Sequence, residues 1–100
     1  MAQIITLQEA QELTFAYQES AIAVNQTIAT SVDKTTLLNL LNQPNCEGMR
    51  MYFGLTENNK LTLVVVGTNS AGNDMTTGQI VDHLETCPQI CSIGSPLIKP

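Results

Sequence analysis

Tryptophan is absent from this 100-residue chain, aromatic residues make up 4% of it, and there is one histidine. Basic residues are equally scarce, with four Lys and Arg against nine Asp and Glu and a formal net charge of −5. Binding to phosphate backbones draws on clustered Lys and Arg that release counterions. So small a basic complement argues against nucleic acid or an anionic membrane surface as a partner. The longest unbroken apolar stretches, Leu63–Val66 among them, fall far short of the ~20 residues that a membrane helix needs. The first residues, Met1 to Thr6, carry no basic group, and polar Gln8 and Glu9 follow at once. No secretory leader is read there, and a cytoplasmic location is expected. Three cysteines is an odd number, which fits a reducing compartment better than a secreted disulfide framework.

What the chain does have is 43% hydrophobic and 13% charged residues, too apolar and too weakly charged for an acidic disordered chain. Its length suits one domain spanning residues 1–100, and no repeat, low-complexity tract or linker divides it. Thr6-Leu7-Gln8-Glu9 has the form of a capping box. Behind it Leu7, Ala10, Leu13, Tyr17, Ala21, Val24 and Ile28 recur at three- and four-residue steps, which predicts one long core-facing helix over 7–28. At ~1.5 Å per residue it would run about 33 Å. Phe15 and Ile22 share a different face, flanked by Gln11 and Gln18. They are either an extension of the core or a self-association seam. Ser31-Val32-Asp33 offers a second cap, and Leu37, Leu38, Leu40 and Leu41 follow in a short helix that stops before Pro44. A short Ala29–Val32 link would fold the two helices antiparallel.

After Pro44 the period changes to two. Met49, Met51, Phe53 and Leu55 alternate with Arg50, Tyr52, Gly54 and Thr56, and the run Leu61–Gly67 follows Glu57-Asn58-Asn59-Lys60. A two-residue Asn58-Asn59 turn would oppose Glu57 to Lys60, Phe53 to Val64 and Met51 to Val66. Ile80, Val81, Leu84 and Cys87 are expected in a third, short helix ended by Pro88. A lone hairpin is unstable in water, so further strands, a second layer or another subunit must cover it. The fold class expected is α+β: a long N-terminal helix and a short second helix packed on a small antiparallel sheet built around the 48–67 hairpin.

Chemistry could reside in three places. His83, Cys87 and Cys91 lie at four-residue steps, and with Cys46 they would make the four donors of a small metal or thiol site. Pro88 interrupts any single helical face for them, so buried thiols, or a Cys87–Cys91 bridge, are the simpler alternatives. Gly67-Thr-Asn-Ser-Ala-Gly72 starts like a phosphate loop, but Asn73-Asp74 stands where Lys and Ser or Thr are required. Arg50 beside Tyr52 could clamp a small anionic ligand; the simpler alternative is an ion pair to Glu47, Asp74 or Glu85. No nucleophile elbow, carboxylate pair or catalytic triad can be picked out, so no catalytic residue and no cofactor are assigned.

Three segments, Cys46-x-Gly48-x-Arg50-x-Tyr52-Phe53-Gly54, Leu61-x-Leu-Val-Val-Val-Gly67 with Asn73-Asp74, and Cys87-Pro88-x-x-Cys91-Ser92, together resemble a group of small uncharacterised bacterial proteins. The resemblance spans Cys46 to Ser92 and implies no activity and no site residues. The function expected is a non-enzymatic, cytoplasmic interaction module that self-associates as a homo-oligomer, with Phe15 and Ile22 at the interface. The alternatives are the site of Cys46, His83, Cys87 and Cys91, and an anionic-ligand site at Arg50 and Tyr52.

Overall fold

A computed structural model describes residues 2–21, 26–82, 84–87 and 91–100, and its elements form an α+β fold. At the amino terminus the Thr6 hydroxyl accepts from the Glu9 N–H at 3.1 Å while Glu9 Oε1 accepts from the Thr6 N–H at 3.1 Å. This reciprocal capping box satisfies two free donors and starts α1 (Leu7–Glu19). The helix ends at Ser20, well short of the 7–28 span expected, and none of its residues is fully buried. Leu7 and Leu13, which the three- and four-residue spacing assigns to the core, are exposed. Periodicity marks a face able to bury itself but does not provide the layer that would cover it.

Ala29–Ser31, expected as a link between helices, is instead strand β1. Asp33 then caps α2 (Lys34–Leu41) by accepting from the Thr36 N–H at 3.0 Å, and the helix ends at Asn42, ahead of Pro44. β2 (Gly48–Leu55) and β3 (Leu61–Thr68) form the expected antiparallel hairpin, but in a different register. Phe53 lies opposite Leu63 and Met51 opposite Val65, because the turn has three residues rather than two. The Thr56 N–H bonds to the Lys60 carbonyl at 2.9 Å, the Asn59 N–H bonds to the Thr56 carbonyl at 2.9 Å, and Asn59 takes a positive φ of 60°. Such a turn adds one residue, and a one-residue shift moves every side chain of β3 to the other face.

The third helix expected over 80–87 does not form. Ile80–Val81 is strand β4, paired to β3, and Glu85–Cys87 is β5, paired to β1 with Ala29 opposite Cys87. The β-branched Ile80, Val81 and Thr86 suit extended backbone, and β4 satisfies the edge of β3 that the hairpin leaves open. Two small antiparallel sheets result, β2-β3-β4 and β1-β5. They are joined by the segment leading into β1, where Gln26 Oε1 accepts from the Leu61 N–H at 2.7 Å and the Thr27 hydroxyl donates to the Leu61 carbonyl.

The core is thin. Leu40, Val65, Val66 and Cys87 are the buried hydrophobic residues among those described. Leu40 belongs to α2, which packs on β3, and a cavity of about 130 Å³ lies between them, lined by Leu37, Leu40, Met51 and Val65. Gly67 lets the loop after α2 approach β3, since a Cβ there would meet Cys46 Sγ at 3.0 Å and Gln43 Nε2 at 3.2 Å. No helix among the described residues is long and apolar enough to cross a membrane.

Candidate functional site

Asp74 is the hub of a polar cluster that joins separate elements around the hairpin. The loop that carries it is shaped by Asn69, whose side-chain oxygen accepts from the Ala71 and Asn73 N–H groups, both at 3.0 Å. Gly72 takes a positive φ of 80° in that loop, and Asp74 then bridges back to Thr68. On the opposite side of β3, alternation in β2 puts Arg50 and Tyr52 on one face. Arg50 donates to one Asp74 carboxylate oxygen and Tyr52 to the other, and a second Arg50 nitrogen donates to the Gly72 carbonyl at 3.1 Å. The Asp74 side chain thus ties β2 to the loop across the intervening strand. Val66 lies between Arg50 and Ile80 in the register and is 4% exposed.

The electrostatics follow from those contacts. Asp74 is held below the usual carboxylate range, first by the Tyr52 hydroxyl and then by the Arg50 guanidinium. Tyr52 is raised above the ordinary phenol value because its proton is held by Asp74, and Arg50 is raised by the same carboxylate. Of the acids weighed for Arg50, Asp74 is the one it contacts. Both side chains that could clamp an anionic ligand are therefore already engaged by an internal carboxylate.

The cysteine set is dispersed. Cys87 and Cys91 form a disulfide with Cα atoms 4.8 Å apart. Cys46 is the free cysteine, and its Sγ donates to the Gly48 carbonyl at 3.2 Å, beside Gly67. His83 lies outside the described residues. Among the described residues no group of three or more His, Cys, Asp or Glu is placed to hold a metal ion.

The Phe15 edge of α1 meets the chain's own tail. Gln11 donates to the Pro96 carbonyl at 3.1 Å, and Thr14 and Gln18 donate to the Leu97 carbonyl, both at 3.0 Å. Gln18 accepts from the Lys99 N–H at 2.8 Å, and Lys99 pairs with Glu19 at 3.0 Å. Phe15 is half-buried and lines a groove of about 560 Å³ with Pro96 and Ile98. Ile22, its expected companion at an interface, lies outside the described residues.

A feature that spacing alone does not reveal is the apolar surface left along β2. Phe53 is 80% exposed, Leu55 68%, Met51 50% and Met49 40%. Alternation places all four on the face that α2 partly covers, and β2 is the edge of its sheet. The residues are legible in the alternating pattern; their lack of cover is a property of the assembled topology.

No protein-family model, curated protein or solved structure matches the chain. Nothing beyond the chain's own geometry therefore bears on its function.

Proposed function

We propose that this protein is a non-enzymatic interaction module that self-associates. The observation that supports this is the surface area. A compact monomer of 10.8 kDa exposes about 5,500 Å², whereas this chain exposes 7569 Å². Its radius of gyration is 15.0 Å, against about 13 Å for a compact chain of this length. The excess of about 2,000 Å² is larger than the ~800 Å² that each partner contributes to a standard interface. A chain with so few buried apolar side chains gains stability from a partner that covers the remainder.

Sedimentation velocity over a wide concentration range tests this. A sedimentation coefficient that rises with concentration toward that of an oligomer is the expected result. A coefficient of a monomer at every concentration contradicts it. The cytoplasmic location belongs to the same proposal, and the Cys87–Cys91 bridge weighs against it, because reducing compartments keep such pairs open. Thiol trapping in intact cells decides between them: alkylation of both cysteines places the protein in the cytoplasm, and resistance to alkylation places it in an oxidising compartment.

A further inference from the structure

Resting on the self-association proposed above, we infer that the partner is a second copy of this chain, joined along the open edge of β2 in an antiparallel pair of β2 strands. Because Thr56 bonds to Lys60 across the turn, the alternation of an antiparallel ladder turns the N–H and C=O groups of Met49, Met51, Phe53 and Leu55 to the open side. These are also the four residues with exposed apolar side chains. The edge lacks two of the usual guards, since β2 contains no proline and no lysine, and its one charged residue, Arg50, is neutralised by Asp74.

Charge permits this edge on a chain of net charge −5. Two such molecules repel, yet none of the nine carboxylates lies within β2. Full cover of the exposed parts of the four side chains and the edge backbone would remove at most on the order of 600 Å² per chain, which sets the lower bound of ~1,200 Å² for a specific pair as this interface's ceiling. That is about a third of the excess surface.

Geometry also selects a register. A two-fold axis perpendicular to the sheet, midway between the two strands, keeps the α2 side of both copies on one face, and it requires one residue to face its own copy across the axis. With the axis at Tyr52, Met49 faces the second copy's Leu55 and Met51 faces the second copy's Phe53, so all four apolar residues find apolar partners. An axis at Met51 would instead leave Leu55 level with Glu47, beyond the end of β2 and without an apolar partner. The Tyr52 register has one cost. Glu47, just before β2, and the second copy's Glu57, in the turn after it, approach each other at each end, and like charges brought together across strands are destabilising.

The test measures the dimer dissociation constant by sedimentation equilibrium for wild type, Phe53→Glu, Leu55→Lys and Glu57→Lys, with circular dichroism as a check on folding. Both apolar positions are well exposed in the single chain, so each variant is expected to fold. Phe53→Glu and Leu55→Lys should each weaken the dimer at least tenfold. Glu57→Lys should tighten it by about three- to tenfold, and added salt should tighten the wild type but not Glu57→Lys. A wild type that stays monomeric overturns self-association itself and this interface with it. A wild-type dimer that both apolar variants leave intact overturns the β2 edge and leaves self-association standing. Open-ended oligomers overturn the two-fold pairing.

Discussion

Replacing Leu40 by alanine perturbs the most enclosed large side chain among the described residues. Leu40 is 1% exposed on the face of α2 that packs on β3, beside a cavity of about 130 Å³ that it helps to line. Removing a buried leucine costs the transfer free energy of the lost atoms plus a cavity term, in total about 2.7–5.0 kcal/mol. The lower end applies where neighbours collapse into the space. Here a void already separates the helix from the sheet, and β3 is held by strands on both sides, so collapse is restricted. A loss of about 3–4 kcal/mol is expected. Stability for domains of this size starts at about 5 kcal/mol, and a core with four buried hydrophobic residues among those described places this one near that end. Leu40→Ala should therefore remain folded by a small margin. The assay is urea unfolding followed by circular dichroism at one fixed protein concentration, because association shifts apparent stability. Leu38→Ala is the internal control, with the same residue type on the same helix but 43% exposed. It should cost under about 1 kcal/mol, since surface changes rarely cost more. Equal costs for the two, or a cost below about 1 kcal/mol for Leu40→Ala, would refute the assignment of the core.

Three further outcomes follow from named contacts. A Cβ at Gly78 would collide with Gln43 Oε1, which accepts from the Gln79 N–H at 2.8 Å while Gln43 Nε2 donates to the Leu40 carbonyl at 2.8 Å. Gly78→Ala should displace that side chain and cost about 0.5–1.5 kcal/mol in chemical unfolding, and a neutral result would remove Gln43 as the link between α2 and the segment entering β4. Asp74 is held below its ordinary range, so its contribution is present in full above the unfolded carboxylate value of about 3.9 and is lost as pH falls through the depressed value. The stability gap between wild type and Asp74→Asn should narrow on acidification toward pH 2, and a gap independent of pH would contradict the cluster. Glu9 and Asp33, lowered by their helix-cap hydrogen bonds to Thr6 and Thr36, leave a residual acid dependence in both proteins. Reducing the Cys87–Cys91 bridge releases a loop closed over a separation of four residues, worth about 2 kcal/mol in chain entropy. A fall in melting temperature on adding reductant, absent from Cys91→Ser, is the expected observation.

The parts of the fold legible in the sequence are those decided within a few residues. The Thr6–Glu9 box, the Asp33 cap and the stop before Pro44 each depend on one side chain reaching its own backbone or on one ring restricting its neighbour. The hairpin was legible as a pair of strands, but its register turned on whether Asn58-Asn59 or Glu57-Asn58-Asn59 makes the turn. Both are compatible with Asn at positive φ, and one residue inverts β3. Ile80–Cys87 is too short for period to separate helix from strand; pairing with β3 and β1, distant in sequence, decided it. The hold of Gln11, Thr14 and Gln18 on the tail spans about eighty residues and uses amides and a hydroxyl that carry no pattern. At the candidate site, an acidic partner for Arg50 was legible from the excess of acids over bases, with Asp74 one of three candidates. That the same carboxylate also engages Tyr52 depends on the Asn69 loop closing beside β3.

Thermal unfolding measured across a hundredfold range of protein concentration probes whether the surface left uncovered by one chain is closed by another. If folding and pairing are coupled, the melting temperature should climb with concentration, by on the order of 5 °C over that range. Phe53→Glu should flatten the dependence while leaving the low-concentration melting temperature close to that of wild type. A wild-type melting temperature that is the same at every concentration would show that the single chain, with its 7569 Å² of exposed surface, is stable without a second copy.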